Sequence, residues 1–191
     1  MSLYVITGGP SCGKSTVIHG LRERGYRVND ELARELLNDK KKRGIDISNL
    51  NNDHPRLLEF EIELYEKQLT VDKKALASQK TYFGDRASPD VPAYCKHHMG
   101  RIPNEIDLFK LPRYDGIFLL DMLPFEHDGI RLEKDPEEGL KIHDAITSMY
   151  RMLGYTPIRV PVANSKKDAL TERVNFVLQT LQEQKTTRSV D

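Results

Sequence analysis

The residues best suited to chemistry stand close to the N-terminus. Gly8-Gly9-Pro10-Ser11-Cys12-Gly13-Lys14-Ser15 satisfies the pattern G-x-x-x-x-G-K-S/T, and Thr16 completes the run. A loop of this kind cradles phosphate. Its glycines take up dihedrals that other residues avoid, so the backbone can approach an anion closely. Successive N–H groups then point inward, and the start of the following helix adds a partial positive charge. Lys14 is placed to reach the terminal phosphates of a nucleoside triphosphate, and the Ser15 hydroxyl to hold Mg²⁺.

Phosphoryl transfer needs more than the loop. It needs a carboxylate near the metal, a group that orients the nucleophile, and cations for the charge that spreads over the phosphoryl oxygens. Asp85 is the first candidate carboxylate: it directly follows the apolar run Thr81-Tyr82-Phe83-Gly84 and is followed by Arg86. Asp121 holds the equivalent place after Gly116-Ile117-Phe118-Leu119-Leu120 and is its rival. Arg131 and Lys134 stand in a loop of mixed polarity, at about 122–136, long enough to close over phosphates as a lid. Cys95-x-His97-His98 has no fourth ligand at a usual metal spacing, and His127 and His143 are lone histidines without a role.

These groups have to be held by regular elements. Leu3 to Thr7 is a short apolar, β-branched run and reads as a buried strand. Val17, Ile18 and Leu21 recur at helical spacing after the loop, with Gly25 as a stop. Tyr26 to Asn29 makes a second short strand, and Asp30 can cap the helix behind it. Asn38 to Asn52, with Lys40-Lys41-Lys42-Arg43, reads as a mobile polar loop. A long helix with a wide apolar face opens at Asp53 and Pro55 and runs to about Ser78. A short helix over Ser88 to Met99 follows the third strand, and a fourth strand covers Gly116 to Leu120. Pro136 opens a further helix that ends at Gly154, and Thr156 to Val160 is a fifth strand whose Pro157 suits an edge. Ser165-x-x-Asp168 resembles a capping box before a last helix, with a frayed tail expected from Gln184. Strands alternate with helices throughout, which indicates an α/β fold with a parallel sheet. Ligands in such folds sit at the carboxyl ends of the strands.

Composition narrows the class. The 191 residues suit one domain, 1–191, with a full core. Lys+Arg and Asp+Glu both number 29, so there is no global basic field to advertise nucleic acid or a membrane surface. Two cysteines, one inside the loop, make no disulfide framework, and a reducing, cytoplasmic setting is expected. No apolar run reaches the ~18 residues of a membrane span, and a strand beginning at Leu3 leaves no room for a signal peptide.

The order Gly8–Ser15, Glu31-x-x-Arg34, Phe83-Gly84-Asp85-Arg86 with Asp90, Asp128-Gly129-x-Arg131, Gly154-Tyr155 and Val160-Pro161 resembles a known family. These are the AAA-type ATPase domains related to the ribosylnicotinamide kinase domain of NadR, in the nucleoside and nucleotide kinase group of P-loop proteins. The resemblance runs from about Leu3 to Leu181. It implies a three-layer fold with a five-stranded parallel sheet in the order 2-3-1-4-5 and helices on both faces, ATP with Mg²⁺, and a lid. It implies that Asp85 and Arg86 stand beside the acceptor hydroxyl, that Glu31, Arg34 and Asp90 belong to the acceptor side, and that Pro161 and Val162 lie near the base. A guanine-reading N-K-x-D is missing by one residue in Asn164-Ser165-Lys166-Lys167-Asp168, which favours adenine. The expected function is therefore a small-molecule kinase that moves the γ-phosphoryl of MgATP to a nucleoside-like or other small hydroxyl acceptor. Lys14, Asp85, Arg86 and Arg131 are its catalytic candidates, and Ser15 and Asp85 its metal candidates. The alternative is a nucleotide-binding switch acting on a protein or lipid partner, since the family is functionally mixed.

Overall fold

A computed structural model describes residues 2–123, 136–162 and 169–188. Its strands are β1 (Ser2–Thr7), β2 (Arg27–Asn29), β3 (Thr81–Asp85), β4 (Gly116–Leu120) and β5 (Ile158–Val160). Its α-helices are α1 (Lys14–Glu23), α2 (Leu32–Lys42), α3 (His54–Ala77), α4 (Asp90–Met99), α5 (Pro136–Met152) and α6 (Ala169–Arg188). The strands form one sheet in the order β2-β3-β1-β4-β5, and every pair is parallel. A parallel sheet must be covered on both faces, and here it is. Tyr4 and Ile6 of β1 point to one side, into a core with Val17, Ile18 and Leu21 of α1 and Val174, Val177 and Leu181 of α6. Leu3 and Val5 point to the other, into a core with Ile142, Ile146, Met149 and Tyr150 of α5. A third cluster, removed from the sheet, joins Leu36 and Leu37 of α2, Phe60 and Leu64 of α3, and Val91 and Cys95 of α4. No helix among the described residues is long and apolar enough to cross a membrane.

Several boundaries differ from the expectation. Asn38 to Lys42 is the end of α2 rather than loop. Lys40, Lys41 and Lys42 fall in its last turn, where positive charge opposes the helix dipole, and Lys40 pairs with Glu63 of α3 at 2.9 Å. Asp30 does not cap α2: Glu31 takes the N-cap position without a side-chain cap bond. Asp30 instead receives Arg22 on both carboxylate oxygens, at 2.6 and 2.7 Å. At the start of α3 the expected cap is present, with Asp53 accepting from the Arg56 N–H. The last helix continues past Gln184 to Arg188. The Ser165–Asp168 box and most of the lid loop, including Arg131, lie outside the described residues.

Register aligns what matters. Ile6 stands opposite Asp85 across β1 and β3, and Thr7 opposite Leu119 across β1 and β4. The chain segments leaving Thr7, Asn29, Asp85 and Leu120 therefore emerge along one edge of the sheet.

Candidate active site

The loop after β1 adopts the phosphate-cradling shape. Gly8 has φ +140°, and a Cβ there would stand 2.8 Å from the Leu120 carbonyl and 2.9 Å from Cys12 Sγ, so no larger residue fits. Gly13, at φ +79°, turns the chain into α1. Lys14 is not on an exposed surface, as a free phosphate-seeking lysine would be. It is 6% exposed, and its ammonium donates to the carbonyls of Gly9 at 2.8 Å and Gly8 at 3.2 Å. Its charge is thus stored under the arch of the loop.

Asp85 enters the site through Ser15, whose hydroxyl donates to Asp85 Oδ2 at 2.9 Å. Asp85 is 2% exposed, and its Oδ1 is buried with no partner. Burial, reinforced by the charge of Glu31, raises its pKa to about 6 against the pull of Lys14 and Arg86. A buried hydroxyl–carboxylate pair with one oxygen unmet suits a hard divalent cation, so Ser15 and Asp85 fit the Mg²⁺ position the loop implies. Asp121 does not join them: its carboxylate receives Arg159 at 2.6 Å on the outer side of β5.

Glu31, Arg34 and Arg86 form a second group. Glu31 accepts from Arg86 Nε at 3.1 Å and from Arg34 Nε at 3.2 Å. Burial alone would raise its pKa, but Arg86, Lys14 and Arg34 more than offset this and hold it at about 2. Arg86 is a non-glycine residue at φ +71°, a strained conformation, and its N–H is bonded to the Ile6 carbonyl at 3.0 Å. Its guanidinium also donates to the Gly8 carbonyl at 3.3 Å, lies 3.6 Å from Asp90 and covers the ring of Tyr94. Asp90 is fully engaged beneath it, accepting from Thr7, the Ala87 N–H and Tyr150. Asp90 thus holds Arg86 in place from within the core.

Of these groups Lys14, Ser15, Glu31, Arg34, Arg86 and Asp90 line a cavity of about 400 Å³, and Asp85 is joined to it through Ser15. Pro10, Ser11 and Lys14 to Thr16 form one wall, and Glu31, Arg34, Phe60, Glu61, Arg86 and Tyr94 form the others. The structure therefore brings together the loop, Glu31, Arg34, Asp85, Arg86 and Asp90. Pro161 and Val162 are exposed at the end of β5, apart from this cavity.

Three contributors were not legible beforehand. Arg173 of α6 is 4% exposed and donates to three carbonyls, those of Cys12 at 2.6 Å, Pro161 at 2.9 Å and Asp121 at 2.9 Å. His143 of α5 accepts the Gly9 N–H on Nδ1 at 3.2 Å, and its burial favours the neutral ring that this bond requires. Glu61 of α3 is a carboxyl inside an apolar helix face. No motif marks any of the three, because each reaches the site from a helix distant in sequence.

A family model described as "AAA domain" matches residues 3–168. No curated protein matches the chain in sequence. Among solved structures, a deoxyadenosine kinase from M. mycoides with bound dATP superposes with a TM-score of 0.66 at 12% identity, covering 94% of this chain and 99% of that one. A thymidylate kinase from Ehrlichia chaffeensis gives 0.62 at 18% identity, covering 94% and 98%. A NadR protein in complex with NR gives 0.64 at 17% identity, covering 95% of this chain but 50% of that one. At these identities the likeness establishes the shared fold.

Proposed function

The chain belongs to the AAA domain family, and from that premise we propose that it is a small-molecule kinase using MgATP. The observation that carries the reading is the cavity of about 400 Å³ that opens directly onto the phosphate loop and is walled by Glu31, Arg34 and Arg86. A nucleotide switch without a small acceptor has no use for a pocket of this size beside the phosphate loop. Structural neighbours whose names make them nucleoside or nucleotide kinases support the same reading.

The roles follow from charge and burial. Lys14 leaves its loop carbonyls to neutralise the terminal phosphates, and Arg131 is assigned the same task from the lid. Ser15 holds Mg²⁺ with Asp85 beside it, and the ion supplies charge neutralisation at the phosphoryl oxygens. Glu31, ionised at any physiological pH and fixed by Arg86 and Arg34, holds the acceptor through a donor group other than the reacting hydroxyl, whose one proton is left for Asp85. The acceptor oxygen bonds to the γ-phosphorus, the bond to the leaving ADP oxygen breaks, and the hydroxyl proton passes to Asp85. Of the two carboxylates, Asp85 at about 6 is mostly ionised near neutrality yet basic enough to take up a proton there, and Glu31 at about 2 is not.

ADP release from MgATP, with and without a panel of nucleosides and hydroxylated vitamins, tests the proposal. Acceptor-dependent turnover by wild type is the expected result. Tight nucleotide binding with no stimulation by any acceptor would assign the chain to the switch class.

A further inference from the structure

We infer that Glu61 is a specificity-determining residue of the acceptor cavity, and that the acceptor presents to it a flat ring carrying an N–H donor; this rests on the kinase reading above. Four side-chain atoms among the described residues are buried without a hydrogen-bond partner, in Asn29, Glu61, Asp85 and Gln184. Of these residues only Glu61 lines the cavity. It is 4% exposed. A buried polar atom left unmet forfeits its hydration without return, and an apolar residue at this place in α3 would avoid that cost. A bound ligand recovers it.

The protein's own groups are not placed to do so. Arg86, the nearest cation to influence Glu61, is committed to Glu31, the Gly8 carbonyl and Asp90. From α4, Cys95 is a titratable neighbour whose thiol is itself pushed well up by burial and by Glu61, and so stays neutral, and His98 lines the same cavity. Leu37 of α2, Phe60 and Leu64 of α3, and Val91 and Tyr94 of α4 give the same cavity a largely apolar and aromatic wall, to which Gln68 of α3 and His98 of α4 add polar groups; the Gln68 amide donates to Asp72. Such a wall suits a flat ring, with one polar group fixing its orientation. Either protonation state of the carboxyl keeps an accepting oxygen for an N–H. Burial holds Glu61 up to about 8, so near neutrality it also offers an O–H. A ring edge with an N–H next to an acceptor atom satisfies both oxygens. An acidic acceptor gains nothing there and meets a desolvated carboxyl.

The test uses matched hydroxyl-bearing probes that differ at the ring edge: adenosine against purine riboside, and thymidine against N3-methylthymidine, with shikimate as the acidic control. Binding by calorimetry in the presence of MgATP and ADP release are measured on wild type, E61Q and E61L. In at least one pair, wild type should bind the N–H member roughly tenfold or more tightly, as a hydrogen bond to a buried carboxyl allows. E61L should bring that ratio to within about twofold, and E61Q, which keeps an accepting oxygen, should retain part of it. KM should carry the change, with kcat nearly unmoved. If no probe binds, if no pair is discriminated, or if E61L discriminates as wild type does, the inference is wrong. Acceptor-stimulated ADP release that ignores Glu61 would overturn the inference and leave the kinase reading standing. Glu61-dependent binding without any ADP release would do the reverse.

Discussion

Asp85 and Glu31 share one electrostatic neighbourhood, yet their pKa values move apart, to about 6 and about 2. The difference lies in their partners. Glu31 receives two guanidinium groups, whereas Asp85 receives one hydroxyl and keeps an oxygen unmet. Asp85→Asn should therefore lower kcat/KM by roughly 100-fold or more and leave ATP affinity within about tenfold, because its proposed work is on the metal and the proton. Asp121→Asn, which breaks an exposed pair with Arg159, should be within about twofold of wild type in the same assay. Lys14→Ala should abolish the rise in melting temperature that saturating MgATP produces; at 100 times Kd that rise reflects about 2.7 kcal/mol. Differential scanning fluorimetry with and without nucleotide reads it.

The phosphate loop is an element whose shape is set by its neighbours. Arg173 fastens it to the ends of β4 and β5 through the carbonyls of Cys12, Asp121 and Pro161. A planar fork serves these three carbonyls from three separate nitrogens, whereas an ammonium's donors all leave one atom. Arg173→Lys should then cost about 3 kcal/mol or more in urea unfolding, since hydrogen bonds from charged groups are worth about 1.5–3 kcal/mol each and two of the three are lost. It should also weaken nucleotide binding, although Arg173 is absent from the acceptor cavity, because the Cys12 carbonyl loses its anchor. By contrast the Arg22–Asp30 pair between α1 and the start of α2 is exposed on both sides, and Asp30→Asn should leave stability nearly unchanged.

Across the whole molecule, buried carboxyls couple stability to pH. Glu61 and Asp85 are raised by burial, to about 8 and about 6, and Asp72 is raised in the same direction. A carboxyl raised on folding binds its proton more tightly in the folded chain than in the unfolded one. Its contribution to stability is therefore lost as pH rises from the unfolded pKa through the folded one. For Glu61 that window runs from about 4.5 to about 8. Glu31, lowered to about 2, acts in the opposite sense, and its contribution is lost only as pH falls below 4.5. The unliganded protein should thus melt lower at pH 8 than at pH 5.5. E61Q, which cannot ionise, should flatten that difference and exceed wild type at pH 8 by on the order of 3 kcal/mol. Chemical denaturation of both proteins at the two pH values checks it, and equal slopes would mean that Glu61 is solvated.

The sequence by itself determined the phosphate loop, the alternation of strands and helices, and the strand-end position of Asp85 and Arg86. Each of these is a local signal: glycine spacing, hydrophobic period, or a charged residue directly after an apolar run. Strand order also followed, once the order of short motifs had suggested the family. Other features depended on contacts across the chain. That Asp85 meets Ser15 while Asp121 pairs with Arg159 is set by Ser15 facing β3 and by Arg159 lying on β5 beside β4. The ending of α2 depended on Glu63 of α3, and the engagement of Asp90 on Tyr150 of α5, 60 residues away. Arg173, His143 and Glu61 belong to helices whose periodicity places them beside a core but says nothing of what lies opposite. A buried charge is recognised by its partners or by their absence, and those are properties of packing, which only the tertiary structure decides.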